Sequence, residues 1–352
     1  MDIAVIGAGG AVGREVAHLI VAQRTLSCDE RLVLVGNPHG SSAKSLYGLA
    51  VDLIDAYAEV SPQIEVVLNP DEIRGDVIVM AGGATIPVDK QSKPVSRDML
   101  ADKNVSVFET YASALAAHGH GNEIVLCISN PNELAVAAFA KHLGRWRVIG
   151  MGAFLDSLRF RKEVATDLEI RRQLIHGFMV GEHGFNMVPL WSNVHVYGYN
   201  DQNLADALAK IRRGYTTARF ADDVDEARGS LKNLIENGKV QEAYQVIDQY
   251  PPDIRVALKP FVTHFSGSKT ILGTAHATME LIRTITLGND TLISGQISVE
   301  GEFYDITSTI GVPFVIGNKG VERIINLAID KDEKILLSRA ASEIQNKIIQ
   351  WL

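Results

Sequence analysis

In Gly181-Glu182-His183-Gly184 a single imidazole stands in a segment otherwise made of Met, Val, Phe and Leu. Imidazole is the side chain whose ordinary pKa lies nearest neutrality, so it can give and take a proton at working pH. Upstream, Leu155-Asp156-Ser157-Leu158-Arg159-Phe160-Arg161 supplies a carboxylate and a guanidinium one helical turn apart. An Asp bonded to one ring nitrogen fixes the tautomer and favours the protonated ring. Arg159 shares a helix face with Asp156 and offers a fork that matches a carboxylate. Together these read as a proton donor beside a carboxylate clamp. A histidine on its own is more often structural; the neighbouring motifs reverse that reading here.

Such groups need a scaffold. Ile3 to Ile6 form a short apolar run, followed by Gly7-Ala8-Gly9-Gly10-Ala11-Val12-Gly13 and an apolar-periodic helix to about Ala22. Strand, glycine turn and helix make a phosphate cradle, because the helix N-terminus offers free N–H groups and a partial positive charge. Gly7, Gly10 and Gly13 give GxxGxxG spacing rather than the usual GxGxxG. An ordinary tight turn is the plainer reading, and the place at the head of a βαβ unit favours the cradle.

Arg31 to Val35 reads as the second strand, at whose end an acid would hold a ribose 2′-hydroxyl. Here Gly36-Asn37-Pro38-His39-Gly40-Ser41-Ser42 follows, with no acid. A carboxylate there would oppose a 2′-phosphate by about 4 kcal/mol at 4 Å and an effective dielectric of 20. Its absence removes that barrier, and Asn37, His39, Ser41, Ser42 and Lys44 offer donors. NADP is favoured as cofactor over NAD; the alternative is a merely polar turn that binds NAD without the acid.

The next elements are a helix over 43–58, a strand near 64–68 and a buried strand from Val77 to Ala81. The polar segment 83–97 reads as a functional lid or a disordered segment, with Arg97 at its end where closure could bring a cation over a substrate. A helix from near Asp98 to about Ala117 ends in His118-Gly119-His120-Gly121, and no accompanying ligand pattern makes those histidines a metal site. The strand Glu123 to Ile128 runs into Ser129-Asn130-Pro131-Asn132, at the carboxyl end where parallel sheets place ligand contacts. A helix over 133–143 and a strand at 147–150 complete about six strands alternating with helices. That pattern predicts an α/β fold, a doubly wound parallel sheet (Rossmann), for a dinucleotide-binding domain over 1–150.

An α+β substrate domain over 151–352 is expected to follow. It contains the Asp156 helix, a strand from Gln173 to Gly181 running into His183, and a charged helical insertion at about 200–260. Ser266 to Ile285 reads as one long helix, then strands at 293–299, 303–306 and 313–316, and a terminal helix from about 329 to 350. The insertion's apolar residues can pack on the body or on another subunit.

The chain of 352 residues, 46% hydrophobic and 22% charged, is ordinary for a soluble globular protein. Its net charge of -8 argues against nucleic acid as a main partner. Only Cys28 and Cys127 are present, which fits a reducing compartment. Met1 leads almost directly into a strand, leaving no room for a cleavable signal, and no stretch is long and apolar enough to span a membrane. The expectation is a cytoplasmic protein with no membrane partner.

With these residues in place, the chain resembles the lactate/malate dehydrogenase family over nearly its whole length. The likeness rests on Gly7 to Gly13, Ser129-Asn130-Pro131, Leu155 to Phe160 and Gly181 to Gly184, in matching order and spacing. The resemblance implies hydride transfer between nicotinamide C4 and C2 of a 2-oxo or 2-hydroxy acid. It implies that His183 protonates the developing alkoxide, that Asp156 orients and charges His183, and that Arg159 grips the C1 carboxylate. Arg97 would polarise the reacting carbonyl, and Asn130 would bond near the substrate oxygen or the nicotinamide. It also implies a homodimer or homotetramer.

The glycine spacing and the Gly36 strand end resemble the malate dehydrogenases that accept NADP. Other features depart from the family. The loop before Arg97 is longer than usual and holds no Arg for a distal carboxylate, and counting back from Arg97 places Gln91 there, which is lactate-like. Thr270 also sits where lactate dehydrogenases carry Thr, whereas Lys90 and Lys93 could serve a dicarboxylate as point charges. Both substrate types stay open. So do two further readings, a dehydrogenase for a bulkier 2-oxo acid and a catalytically silent dinucleotide-binding redox sensor.

Overall fold

The computed structural model describes residues 1–38, 40, 43–84 and 97–352, with the backbone alone for 97–100. Its first half contains β1 (Ile3–Ile6), α1 (Ala11–Ala22), β2 (Arg31–Val35), α2 (Ala43–Ala56), β3 (Gln63–Val67), β4 (Val77–Met80), α3 (Arg97–His118), β5 (Ile124–Cys127), α4 (Asn132–Leu143) and β6 (Val148–Gly150). The six strands lie in the order β3-β2-β1-β4-β5-β6, and each adjacent pair is parallel. Central strands β1, β4 and β5 are apolar and buried at every residue, as a parallel sheet covered on both faces requires. The expected doubly wound sheet therefore forms. Strand order reverses between β1 and β4, and such a switch point opens a crevice at the carboxyl ends of the strands.

The second half contains α5 (Gly152–Asp167), β7 (Ile175–His176), β8 (Met179–Gly181), β9 (Met187–Pro189), β10 (His195–Val196), α6 (Asp201–Arg212), α7 (Phe220–Glu236), α8 (Val240–Ile247), α9 (Pro252–Phe265), α10 (Ile271–Leu287), β11 (Thr291–Glu300), β12 (Thr307–Gly317), β13 (Gly320–Ile324) and α11 (Lys331–Trp351). The parallel sheet does not stop at β6. Gln296 of β11 pairs antiparallel with Gly150 of β6, and β12, β8 and β9 extend the same sheet.

Three segments differ from the sequence expectation. The strand expected over 173–181 is two short ones, because β7 pairs with β10 in a separate ribbon while β8 joins the main sheet. The helix expected from Ser266 begins only at Ile271, since Gly267 at φ +88° interrupts the helical path after α9. Residues 303–306 form a turn rather than a strand, with Tyr304 and Asp305 both left-handed at φ 51° and 59°. Phe303 and Ile306 are nonetheless buried, and their apolar character is what imitates a strand.

Helices α6 to α9 pack on the body. Phe220, Val224, Leu231 and Leu258 share a core with Phe160 and Val164 of α5. Buried Arg255 fastens α9 to α5 through Glu163 at 2.8 Å and Asp167 at 2.6 Å. Among the described residues, no helix is long and apolar enough to cross a membrane.

Candidate active site

The glycine turn sits at the switch point and fits a dinucleotide. Gly7 has φ +83°, and a Cβ there would fall 2.6 Å from the amide nitrogen of Gly82, beyond the end of β4. A Cβ on Gly13 would meet the Gly7 carbonyl oxygen at 2.3 Å. These two glycines let β1, β4 and α1 close to a spacing that no side chain permits. Gly10 is the N-cap of α1, with no side chain capping the helix and no acid in its first turn. The first N–H groups and the positive end of the helix dipole thus remain available to a phosphate.

At the end of β2, Gly36 is buried and its amide bonds to the Val67 carbonyl at 3.1 Å. A Cβ at Gly36 would fall 2.4 Å from Cδ1 of Leu46, so packing selects glycine there. Asn37 follows on the surface. Ser41 and Ser42 lie outside the described residues, as do His39, Lys90, Gln91 and Lys93. Arg97 is described only as the first residue of α3.

At the carboxyl end of β5, the Ser129 hydroxyl donates to the Gly82 carbonyl at 2.6 Å. The Asn130 carbonyl accepts from Asn104 Nδ2 at 2.7 Å, and Asn104 Oδ1 takes the Ala84 amide at 2.6 Å. Buried Asn104 of α3 therefore ties the turn after β4 to the turn after β5.

The second half carries the titratable groups to the same rim. α5 starts where β6 ends and brings Asp156 inward, buried. Asp156 Oδ2 lies 2.8 Å from His183 Nδ1, and Asp156 Oδ1 accepts from Arg159 Nη1 at 3.2 Å. Burial works against the Asp156 charge, but His183 and Arg159 outweigh it and hold the carboxyl below the usual carboxylate range. Burial likewise opposes a charged His183, and Asp156 more than offsets it, so the ring holds its proton above the ordinary histidine value. The sequence-predicted trio is thus in contact. Thr270 is the N-cap of α10, without a side-chain capping bond.

Four residues in this site carry no family motif that singled them out. Gly152 faces the His183 ring, and a Cβ there would lie 2.4 Å from Cγ. Buried Asn132 and Gln296 accept the first two amides of α5, from Gly152 at 3.3 Å and from Ala153 at 2.9 Å. Buried Glu133 accepts the His183 amide at 2.8 Å. Burial, then the nearby Glu182, pushes the Glu133 carboxyl up to about 7. A usable signal existed: two polar residues, Asn132 and Glu133, precede the apolar run Leu134 to Ala140 directly after Ser129-Asn130-Pro131.

A glycine cradle at the switch point of a doubly wound sheet, with a buried carboxylate-imidazole pair at the same rim, defines a dinucleotide-binding α/β enzyme. The chain belongs to the lactate/malate dehydrogenase family. The family's NAD binding domain matches residues 1–150 and its alpha/beta C-terminal domain matches residues 254–351, together well over half of the chain. An L-2-hydroxycarboxylate dehydrogenase (NAD(P)(+)) of Methanocaldococcus jannaschii is 28% identical, over 98% of this chain and 97% of that protein. L-lactate dehydrogenase 2 of Enterococcus faecalis is 25% identical, over 97% of this chain and 95% of that one. The solved malate dehydrogenase from Aeropyrum pernix shares the fold with a TM-score of 0.75 at 22% identity, covering 99% of this chain and 98% of that chain. A lactate dehydrogenase of Cryptosporidium parvum, solved with lactic acid and nicotinamide adenine dinucleotide, gives 0.74 at 22% identity, over 99% and 97%.

Proposed function

We propose that the protein is an NAD(P)-dependent dehydrogenase interconverting an L-2-hydroxy acid and its 2-oxo acid, with NADP preferred. The observation that carries this reading is the Asp156–His183 contact at 2.8 Å with Arg159 on the same carboxylate. Gly7, Gly10 and Gly13 would hold the dinucleotide, which when bound would supply hydride chemistry at C2 of the acid. Gly7, Gly10 and Gly13 give the pyrophosphate room and amide donors. Gly36 removes an acid from the ribose end, which supports NADP, and Asn37, Ser41 and Ser42 are the assigned 2′-phosphate donors.

His183 Nε2 gives its proton to the substrate oxygen as negative charge develops there, and takes it back in the reverse direction. Asp156 holds Nδ1, so the ring presents Nε2 and keeps its proton. Arg159 lends Nη1 to Asp156, and its remaining donors, Nε and Nη2, are assigned to the substrate C1 carboxylate. Arg97 is assigned to the reacting carbonyl, and Asn130 to the substrate oxygen or the nicotinamide. Gln91 and Thr270 are assigned to the substrate's far end, where they suit a monoacid. Residues 1–150 and 151–352 are taken as the cofactor and substrate domains. A homodimer or homotetramer in the cytoplasm completes the reading, with Cys28 and Cys127 both unpaired.

The test is a panel of 2-oxo acids (pyruvate, oxaloacetate, longer and branched analogues) with NADH and NADPH, alongside His183→Asn. Loss of the general acid should cost about 10²–10⁴-fold in turnover while cofactor binding persists. Undiminished turnover in that variant would remove His183 from the acid role. Silence of the unmodified protein across the panel would favour a sensor or an unusual substrate.

A further inference from the structure

The first two residues of α4 reach both halves of the catalytic pair. Asn132 Nδ2 donates to the carbonyls of Cys127 at 2.8 Å and Ser129 at 3.2 Å, holding the turn after β5. Its Oδ1 accepts the Gly152 amide, fixing the start of the helix that carries Asp156. The next residue, Glu133, points to the other partner and takes the backbone amide of His183. Adjacent residues on one rigid helical turn thus set the origin of Asp156 and the height of His183.

Satisfying buried backbone amides would by itself explain Asn132. It does not explain Glu133, because a neutral Gln could accept the same amide without burying a carboxylate beside a second acid. Glu133 shares a small cavity with Glu182, Lys347, Pro131, Leu134 and Trp351. Glu182 is itself engaged by Lys347 Nζ at 2.8 Å and by Asn186 Nδ2 at 2.6 Å. Around the His183 ring lie Asp156, Glu133 and Arg159, with His264 of α9 within electrostatic reach. Of these groups, Asp156 and Glu133 are the ones that favour the protonated ring.

We propose that Glu133, seated by its neighbour Asn132, is a positioning residue for His183, fixing the histidine's backbone and adding a second negative charge within electrostatic reach of its ring. This rests on the reading of His183 as the general acid. The carboxyl is pushed up to about 7, so its charge is present in the alkaline range where the histidine would otherwise give up its proton.

The decisive variants are Glu133→Gln, which retains an oxygen for the His183 amide but no charge, and Glu133→Ala, which removes both. Each is assayed for kcat and KM against pH, with the His183 ring titrated by NMR in the whole protein, its signal identified by loss in His183→Asn. Glu133→Ala should lose kcat on the order of tenfold or more through misplacement of the ring, with cofactor KM nearly unchanged. Glu133→Gln should recover most of that kcat at acid pH. Its 2-oxo acid reduction should then fall off at lower pH than in the unmodified protein, and the ring should titrate lower to match. A Gln variant indistinguishable from the unmodified protein in both profile and ring titration would overturn the proposal. If Glu133→Ala does not fold, the Gln variant decides alone. Should the unmodified protein reduce no 2-oxo acid, the functional reading fails, while the ring titration still reports whether Glu133 acts on His183.

Discussion

Gly152 and His183 touch so closely that a methyl group on the glycine would lie 2.4 Å from the imidazole Cγ and 2.5 Å from its Cβ. The helix bearing the carboxylate therefore begins with the one residue that lets the imidazole reach it. Gly152→Ala should displace the ring while leaving the glycine cradle untouched. A misplacement of about 1 Å costs on the order of 10²-fold, and kcat should fall by that much with cofactor affinity preserved. Steady-state rates and a fluorescence titration with NADPH check both halves of this.

The pH dependence follows from the same pair. His183 holds its proton above the ordinary value because Asp156 lies beside it. Reduction of a 2-oxo acid needs the protonated ring, so its rate should persist through neutrality and decline only as pH climbs through that raised value. Asp156→Asn removes the charge that raises it. The decline should then move to lower pH, with a loss of turnover of about 10²–10⁴-fold. A profile left in place would mean that Asp156 does not govern the histidine's proton.

Cofactor choice is testable at Gly36, provided bulk is separated from charge. Any side chain there must displace Leu46 Cδ1. Gly36→Asn and Gly36→Asp impose nearly the same displacement, and only Asp adds a negative charge. The Asp variant should lose NADPH turnover relative to the Asn variant, on the order of 10²-fold or more for one charge pair, with a smaller change for NADH. Equal losses for the two cofactors would dispose of the 2′-phosphate argument.

Glu133 should make the fold pay for its charge as pH rises. The folded carboxyl keeps its proton to about 7 against an ordinary 4.5, so the folded state binds more protons between those values. Stability is therefore lost as pH increases through that window. Glu133→Gln should melt higher than the unmodified protein at pH 8, and the gap should close toward pH 4. Thermal unfolding across this range measures it, and a constant gap would contradict the assignment.

The bond between Arg255 and Glu163 supplies a structural control. Both groups are buried, with Asp167 on the other side of the guanidinium. Arg255→Met removes the guanidinium but leaves Glu163 with Lys162 and Lys259 and Asp167 with Arg213, so the loss should fall short of the about 3–5 kcal/mol of a pair whose partner is left alone. Denaturant unfolding should register that loss.

Much of the first half is legible in the sequence because its strands are short, wholly apolar and punctuated by glycine. Ile3–Ile6 followed by Gly7 reads as a strand entering a turn. The Asp156–Arg159 spacing and the isolated His183 also announce themselves by residue type. What escapes notice is set by tertiary context. Glu133 looks like an ordinary acid in the first turn of a helix until the His183 amide, fifty residues on, is seen to rest on it. Gln296 lies in a strand of mixed character, and only its pairing with Gly150 brings it to α5. Phe303 and Ile306 give the segment the apolar content of a strand while the chain between them turns through left-handed conformations, a case where burial is visible in sequence and backbone direction is not.

One sheet runs unbroken from β3 to β9, and amides from both sides of its middle grip the first turn of α5. That seam joins the first half of the chain to the second. Swinging the two halves apart would strip Ala153 of Gln296 and part Gly150 of β6 from Gln296 of β11. The bond that seats the carboxylate's helix is thus also a bond between the two halves of the sheet.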